Sequence, residues 1–172
     1  MESYQLEHCL LQWKTLPISD IEQLVDYIDE FTHSMGKRKI NHYGKQYAYS
    51  GIVHSTREIP YWLKSILEYA SQLANVEFNS ILVNYYPANV KVGIGMHSDN
   101  EVELGEDPIV ASLSLGASCI FKIHGKHDQC DMQLEHGDLL IMGSGCQRYY
   151  KHGITPVIND QYRISLTFRK IY

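Results

Sequence analysis

Short runs of β-forming residues dominate the second half of this chain. From Phe78 onward, runs rich in Val, Ile, Tyr, Phe and Thr alternate with Gly, Pro, Asn and Asp. Turn signals at a spacing of about eight to twelve residues are typical of an all-β sandwich or barrel. The number of runs is sufficient for a jelly roll. The predicted strands are 79–86, 90–98, 109–115, 118–124, 139–142, 147–152 and 162–169.

The first half of the chain carries two helical patterns. Ser19 and Glu22 have the spacing of a capping box, and apolar residues then recur on one helical face to about Ser34. A second apolar stripe begins after Pro60, and proline is favourable in the first turn of a helix.

These patterns predict one domain over residues 1–172, of mixed α+β and mainly β class. Residues 1–76 are expected to supply helices that pack on one sheet. Residues 77–172 are expected to form the core, a double-stranded β-helix or jelly roll.

Size and composition exclude several classes of protein. A chain of 172 residues with 44% hydrophobic residues is the size and type of one globular domain. Its longest apolar runs, such as 139–142, are too short to cross a bilayer, so we expect no membrane partner. The chain begins without the pattern of a secretory signal, which predicts an intracellular protein, cytoplasmic or nuclear. We expect four reduced cysteines and a monomer.

Two of the nine histidines are followed two positions later by aspartate. Residues two apart on a strand share a face, so either pair, His97 with Asp99 or His136 with Asp138, could bind one ion. Chance alone gives about one such pair in a chain of this composition. The second pair stands directly before an apolar strand, where Gly and Asp are ordinary turn residues. The first follows the glycine-spaced segment 93–95, which leaves room for a ligand, and is the better candidate.

A third candidate ligand is His152, at the end of predicted strand 147–152. Two histidines and one carboxylate on one face of an ion leave three positions open, as in non-haem Fe(II) oxygenases. A histidine near a strand end is more often a plain structural residue, so this assignment needs support from elsewhere in the chain.

The C-terminal run has one apolar and one polar face. The apolar face carries Ile164, Leu166 and Phe168, and the polar face carries Arg163, Ser165, Thr167 and Arg169. If the polar face points into a barrel, two buried guanidinium groups need anions, and a dicarboxylate ligand would supply them. An edge strand with a solvated polar face is equally compatible with this run.

Four motifs in a fixed order carry a family resemblance. They are Asn84 to Tyr86, His97 to Glu101, His152 to Pro156, and Arg163 to Arg169. With the turn at 134–138, they cover roughly residues 80–172. On these motifs the chain resembles the AlkB family of Fe(II)- and 2-oxoglutarate-dependent dioxygenases, which are nucleic-acid demethylases.

The resemblance implies a complete set of cofactors and ligands. Fe(II) would be held by His97, Asp99 and His152, while His136 falls in a turn. The 2-oxoglutarate co-substrate would be bound by Asn84, Tyr86, Arg163 and Arg169, with Arg169 favoured over Arg163 as the direct ligand. With O₂, this site would demethylate N-alkylated bases such as 1-methyladenine and 3-methylcytosine, and would release formaldehyde, succinate and CO₂.

Substrate candidates follow from the same resemblance. Methylation gives these bases a positive charge, and Glu101 stands where the family often has an acid near the base. An acidic solvated loop that includes Glu103 and Glu106 is the alternative. The cation- and tyrosine-rich stretch 36–51 falls where the family has its nucleotide-recognition lid, although a hairpin with a basic turn is also compatible. The candidates are Lys37, Arg38 and Lys39 for phosphate, and Tyr47 and Tyr49 for the base.

The net charge of −5 does not favour duplex DNA, since affinity for a duplex depends on neutralising phosphates. The predicted partner is therefore single-stranded or locally unpaired DNA or RNA that carries alkylated bases. Two other functions stay open. One is a 2-oxoglutarate oxygenase that acts on a protein or small molecule and does not need the basic run. The other is a non-catalytic jelly roll that binds iron without consuming 2-oxoglutarate.

Overall fold

The computed structural model describes residues 1–17, 33–46, 48–49, 52–53 and 56–172. Two helices and one 3₁₀ turn accompany the strands in these ranges. The strands are β1 (Glu2–Gln5), β2 (Leu10–Thr15), β3 (His33–Met35), β4 (Arg38–Gly44), β5 (Ala48–Tyr49), β6 (Ile52–Val53), β7 (Ser80–Tyr86), β8 (Val92–His97), β9 (Val110–Gly116), β10 (Cys119–His124), β11 (Gln129–Leu134), β12 (Asp138–Met142), β13 (Lys151–Val157) and β14 (Arg163–Arg169). The helical elements are α1 (Tyr61–Ala74), the 3₁₀ turn Val102–Leu104 and α2 (Cys146–Tyr149).

Two antiparallel sheets form the body of the domain. The large sheet has eight strands in the order β1-β2-β12-β9-β14-β7-β4-β3, and the small sheet has four in the order β11-β10-β13-β8. Strands β5 and β6 pair with each other. Apolar side chains from both sheets form one buried cluster, so the two sheets pack face to face. This is the predicted jelly roll, and the predicted fold class is confirmed.

Helix α1 packs on the outer face of the large sheet. It follows Pro60 and ends where Asn75 takes a left-handed conformation, with φ of 52°. Its buried residues Leu63 and Ala70 join the apolar face of β7 and β14 in a second cluster. The helix predicted after Pro60 is therefore confirmed. The other predicted helix falls mainly on residues 18–32, outside the described residues.

The polar face of β14 points inward. Ile164, Leu166 and Phe168 pack in the cluster beneath α1. The alternate residues, Arg163, Ser165, Thr167 and Arg169, line a cavity between the two sheets. Of the two interpretations open from the sequence, the solvated edge strand is wrong, because β14 lies between β9 and β7 in the middle of the large sheet.

The structure corrects three predicted elements. Residues 2–15 contribute two strands rather than helical support, and β2 pairs with β12 so that Leu11 is fully buried. The predicted end of the first helix near Ser34 is strand β3. The predicted strand 147–152 is wrong, because Gly145, with φ of 82°, turns the chain into helix α2, and β13 begins only at Lys151.

Two further expectations concern the whole chain. Cys9 and Cys146 are disulfide-bonded, so the expectation of four free thiols is wrong for these two. Cys119 and Cys130 are free. In the described part of the chain, no helix has the length and apolar character needed to cross a bilayer.

Candidate active site

A cavity of about 50 Å³ lies between the two sheets. The large sheet supplies most of its polar wall, and the small sheet supplies two imidazoles and part of its apolar wall. Its apolar lining residues are Leu82, Ile94, Phe121, Leu134, Met142 and Ile154. Such a lining limits water and strengthens electrostatic interactions inside the cavity.

Strand pairing brings the three predicted metal ligands together. His97 at the end of β8 is the register partner of His152 in β13, and their ring centroids are 4.4 Å apart. Asp99 lies two residues after the end of β8, with its Oδ1 3.8 Å from Nε2 of His97. Potential ligand atoms of all three residues lie within 4.8 Å of one another, and no other such group occurs among the described residues.

A hydrogen bond to the backbone of the same strand orients the imidazole ring of His97. Its Nδ1 lies 2.9 Å from the carbonyl oxygen of Gly95, and a carbonyl can only accept a hydrogen bond. Nδ1 therefore donates this hydrogen bond, and Nε2 is the ring nitrogen that faces Asp99. Metal-binding histidines are commonly held in this way.

Gly93 and Gly153, near these ligands, allow two backbones to approach closely rather than leaving room for a ligand. A Cβ at Gly93 would lie 2.5 Å from the carbonyl oxygen of Ile154, and one at Gly153 would lie 2.7 Å from that of Ile94. The pairing of β8 with β13 is irregular at this point, and the two backbones approach closely. The expected room for a ligand is therefore wrong for Gly93, although Gly95 does face open space.

Burial and charge give two of the three ligands, Asp99 and His152, the protonation states that a cation needs. Burial alone would raise the pKa of Asp99, but the positive charge of Arg169, with smaller contributions from His152 and His97, lowers it overall. Burial lowers the pKa of His152 to about 4, against the smaller opposing effect of Asp99. Near neutral pH the site therefore offers a carboxylate and a neutral imidazole, the forms that bind metal.

The same shift predicts an acid sensitivity of the metal-free protein. The pKa of His152 is about 4 in the folded chain and 6.5 when unperturbed. Between these values the unfolded state binds more protons, so the free energy of unfolding falls as the pH drops below about 6.5. At pH 5 we expect a loss of about 2 kcal/mol relative to pH 7.5, measured by urea unfolding without metal. A His152→Leu variant should lose less over the same interval, and an equal loss in both proteins would contradict the assignment.

The two arginines of β14 reach different ends of the cavity. Arg169 NH2 donates to both carboxylate oxygens of Asp99, at 3.0 and 3.1 Å. Arg163 NH2 donates to Ser114 Oγ at 2.9 Å, and its guanidinium lies 4.8 Å from the centre of the Tyr86 ring. Nε and NH1 of Arg163 are buried and have no hydrogen-bond acceptor among the described residues. A buried guanidinium with unused donors fits a carboxylate ligand.

Asn84 lines the cavity between these two ends. Its Oδ1 accepts a hydrogen bond from Arg38 NH1 at 2.6 Å. Because the oxygen is engaged by Arg38, the amide nitrogen remains to donate to a ligand. The polar wall thus presents donors from Asn84 and Arg163 to an anion.

The three predicted phosphate contacts are not together on one surface. Arg38 is buried and turned toward Asn84, so its assignment to phosphate is wrong. Successive side chains of β4 point to opposite faces of the large sheet. Lys39 is therefore on the opposite face from Arg38, the face that carries α1, and it is exposed there. Lys37 is exposed and donates to the carbonyl oxygen of Lys91 at 3.3 Å.

The predicted base contacts have different outcomes. Tyr47 lies outside the described residues, and Tyr49 lies in β5 without a described side chain. Glu101 is half-buried, and its Oε2 is shielded from solvent with no hydrogen-bond partner in the described ranges. Its acidic neighbour Glu106 is exposed. Glu101 therefore differs from a solvated loop acid.

His136 and Asp138 make hydrogen bonds at a turn, and neither belongs to the group of metal-ligating side chains found among the described residues. His136 Nδ1 accepts from the backbone N–H of Gly116 at 3.2 Å. Asp138 accepts from Thr15 Oγ1 and from the backbone N–H of Glu135. The turn interpretation of this pair agrees with the structure.

Sequence reasoning missed one buried residue that touches the site. Gln147 accepts the backbone N–H of Asp99 at 2.9 Å through Oε1. It fell within a predicted strand, and no pattern in the sequence marked it. Its contact exists only because α2 brings it to the segment after β8.

The fold and the site together define a class of protein. A jelly roll with a two-histidine, one-carboxylate group beside buried arginines has the donor set of a non-haem Fe(II) site with an anionic co-ligand. The model of the 2OG-Fe(II) oxygenase superfamily matches residues 21–169 of this chain. The chain belongs to this superfamily and, within it, to the AlkB family.

Two relatives and one solved structure show which proteins of this family the chain is similar to. Alpha-ketoglutarate-dependent dioxygenase alkB homolog 3 of Bos taurus is 34% identical over 141 residues, which are 73% of this chain and 48% of that protein. DNA oxidative demethylase ALKBH2 of Bos taurus is 32% identical over 140 residues, 74% of this chain and 50% of that protein. The structure of OsALKBH1 superposes with a TM-score of 0.73 at 20% identity, covering 98% of this chain and 100% of that one. The chain thus spans about half the length of these curated relatives.

Proposed function

We propose that this chain is an oxidative demethylase of N-alkylated bases in single-stranded DNA or RNA, using Fe(II), O₂ and 2-oxoglutarate. The observation that carries the proposal is a cavity lined by three metal-ligating side chains and by Arg163, whose Nε and NH1 are buried without an acceptor among the described residues. Membership of the AlkB family and the similarity to ALKBH2, a DNA oxidative demethylase, support a nucleic-acid substrate.

Each wall of the cavity has a separate task in this proposal. His97, Asp99 and His152 would hold Fe(II), which with 2-oxoglutarate and O₂ supplies the oxidising power to hydroxylate an N-methyl group. Arg163 would bind the distal carboxylate of 2-oxoglutarate through its buried nitrogens. Asn84 and Tyr86 would orient the co-substrate beside it.

Arg169 has a different task from Arg163. Its guanidinium is already directed at the carboxylate of Asp99, at the metal end of the cavity. We therefore assign it to holding Asp99 ionised and oriented, and to lying near the co-substrate carboxylate closest to the metal. The order of importance favoured from the sequence is reversed in this assignment.

Glu101 would recognise the positive charge of a methylated base. Its shielded Oε2 can accept from the exocyclic amine of the base and attract the cationic ring. No protein group is needed as a general base, because the hydroxymethyl product releases formaldehyde by itself.

The role of Glu101 predicts a substrate-dependent loss. Glu101→Gln removes the charge but keeps a side chain of the same size. We expect kcat/KM on 1-methyladenine in a short single strand to fall by about 10- to 100-fold, the value of a charge-assisted hydrogen bond. Glu106→Gln is the matched control, since that carboxylate is exposed. Equal activity of both variants would remove Glu101 from the base site.

The proposed function is tested by mass spectrometry of short synthetic strands. DNA and RNA that carry 1-methyladenine or 3-methylcytosine are incubated with protein, Fe(II), 2-oxoglutarate and ascorbate. Loss of one methyl group from the strand, together with succinate formation, is expected. Succinate formation without loss of the methyl group from any strand would instead support an oxygenase of proteins or small molecules. No dependence of iron binding on 2-oxoglutarate would support the non-catalytic alternative.

A further inference from the structure

Helix α2 and Tyr150, the residue after it, each contact the segment that carries two metal ligands. Asp99 donates its backbone N–H to Gln147 Oε1 at 2.9 Å. Ser98, between His97 and Asp99, donates its hydroxyl to the carbonyl oxygen of Tyr150 at 2.8 Å. Because β13 and His152 follow directly after α2, this short segment links the two halves of the ligand set.

The side chain of Gln147 is buried, and both its amide oxygen and its amide nitrogen make a hydrogen bond. It is 4% exposed, and its Nε2 donates to the sulfur of Met142 at 3.5 Å. Since a backbone N–H can only donate, the amide oxygen must face Asp99. A buried amide is costly unless it is hydrogen-bonded at both ends, so its orientation is fixed.

The platform beneath Gln147 is anchored on both sides. Cys146 is disulfide-bonded to Cys9, which joins α2 to the N-terminal segment beside β2. Asp107 accepts the backbone N–H of Gly145 at 2.8 Å and the hydroxyl of Ser144. A side chain held on such a platform can fix the position of a neighbouring group.

Asp99 needs this support because it lies beyond the end of β8. Strand β8 ends at His97, so the backbone of residue 99 has no partner in the sheet. Arg169 holds the carboxylate of Asp99, and Gln147 holds its backbone. We propose that Gln147 is a positioning residue that sets the distance of the Asp99 carboxylate from His152 and so raises the affinity of the site for metal. This inference rests on the proposed function of the same three ligands.

The proposal can be tested without turnover by measuring the affinity for Co(II) alone by calorimetry. Gln147→Met has a similar size but cannot accept the backbone N–H, and we expect Co(II) affinity to fall by about 10- to 100-fold. Gln147→Glu keeps the acceptor, so its affinity should stay within about threefold of the wild type or rise. The matched control is Gln133→Met, since Gln133 is exposed on β11. This control should bind as the wild type does.

Three outcomes would overturn this inference or the one beneath it. Gln147→Met binding within about threefold of the wild type would show that the contact does not set affinity. Gln147→Glu binding as weakly as Gln147→Met would show that the acceptor is not what matters. If Gln147→Met fails to fold, Gln147→Asn, which is one methylene too short to reach Asp99, replaces it in the same comparison. Absence of Co(II) binding by the wild type would instead contradict the proposed function.

Discussion

Replacing Asp99 with asparagine is expected to reduce iron-dependent turnover by a factor of at least about 100. A ligand change should cost more than the 10- to 100-fold loss seen when groups behind a ligand are changed. Asparagine keeps the shape of Asp99 but removes the charge that the site contributes to a cation. The measurement is formation of succinate and of demethylated strand at saturating Fe(II) and 2-oxoglutarate.

Asp99→Ala should be inactive as well, but it also leaves Arg169 NH2 without any side-chain acceptor at this position, whereas asparagine can still accept a hydrogen bond from it. Breaking a buried ion pair from one side commonly costs about 3 to 5 kcal/mol, so the alanine variant should melt at a lower temperature. The asparagine variant loses the charge of this pair but keeps its shape and an acceptor, so it should be destabilised less than the alanine variant and is the better test of ligand loss.

The chain offers a matched control on its surface. His124 Nε2 lies 2.7 Å from Asp131 Oδ1. Both side chains are partly exposed, and neither lines the active-site cavity. Asp131→Asn should retain turnover within about twofold of the wild type, since surface ion pairs contribute little. Full activity of Asp99→Asn combined with inactivity of His136→Ala would mean that the wrong histidine and aspartate pair has been assigned.

Replacing Arg163 with methionine is expected to raise the 2-oxoglutarate concentration needed for half-maximal rate by about 100-fold. Loss of one partner of a buried, hydrogen-bonded charge pair costs about 2 to 5 kcal/mol, and each 1.4 kcal/mol is a factor of about ten. The rate at saturating co-substrate should change less, because Arg163 lies away from the metal ligands. The measurement is succinate formation as a function of 2-oxoglutarate concentration.

A second co-substrate makes the test of Arg163 specific. 2-Oxopentanoate has the same chain length as 2-oxoglutarate but lacks the distal carboxylate. The wild type should strongly prefer 2-oxoglutarate, and Arg163→Met should lose most of that preference. Arg148→Met, at an exposed position on α2, should keep it. If Arg169→Met abolishes the preference while Arg163→Met retains it, the two arginines have been assigned to the wrong ends.

The elements that the sequence predicted well are those whose pattern reports burial directly. Strand β14 alternates an apolar and a polar face, and α1 follows proline with a continuous apolar stripe. Strand β11 was missed although Cys130, Met132 and Leu134 alternate with polar residues, so that signal was present. Strand β1 is exposed at all four positions, and only its pairing with β2 defines it.

The predicted strand 147–152 failed for a local reason. Gly145 adopts a positive φ, and helix α2 begins directly after it. The side-chain pattern of residues 147–152, from which the strand was predicted, carries no information about this turn. Arg38 failed for a different reason. It belongs to a basic run that is typical of a solvated surface. Successive side chains of β4 point to opposite faces of the sheet, however, and Arg38 points inward, where its guanidinium donates to Asn84.

The sequence by itself determined the chemistry of this protein. The order of the motifs, the histidine and aspartate two residues apart and the arginines at both ends of β14 already indicated iron and a dicarboxylate. Only the tertiary structure decided that the polar face of β14 is buried, that Arg169 holds Asp99 while Arg163 donates to Ser114, and that Gln147 supports the ligand segment. The physical reason is that local patterns specify residue types and faces, whereas hydrogen-bond partners distant in sequence depend on how the two sheets and α2 pack together.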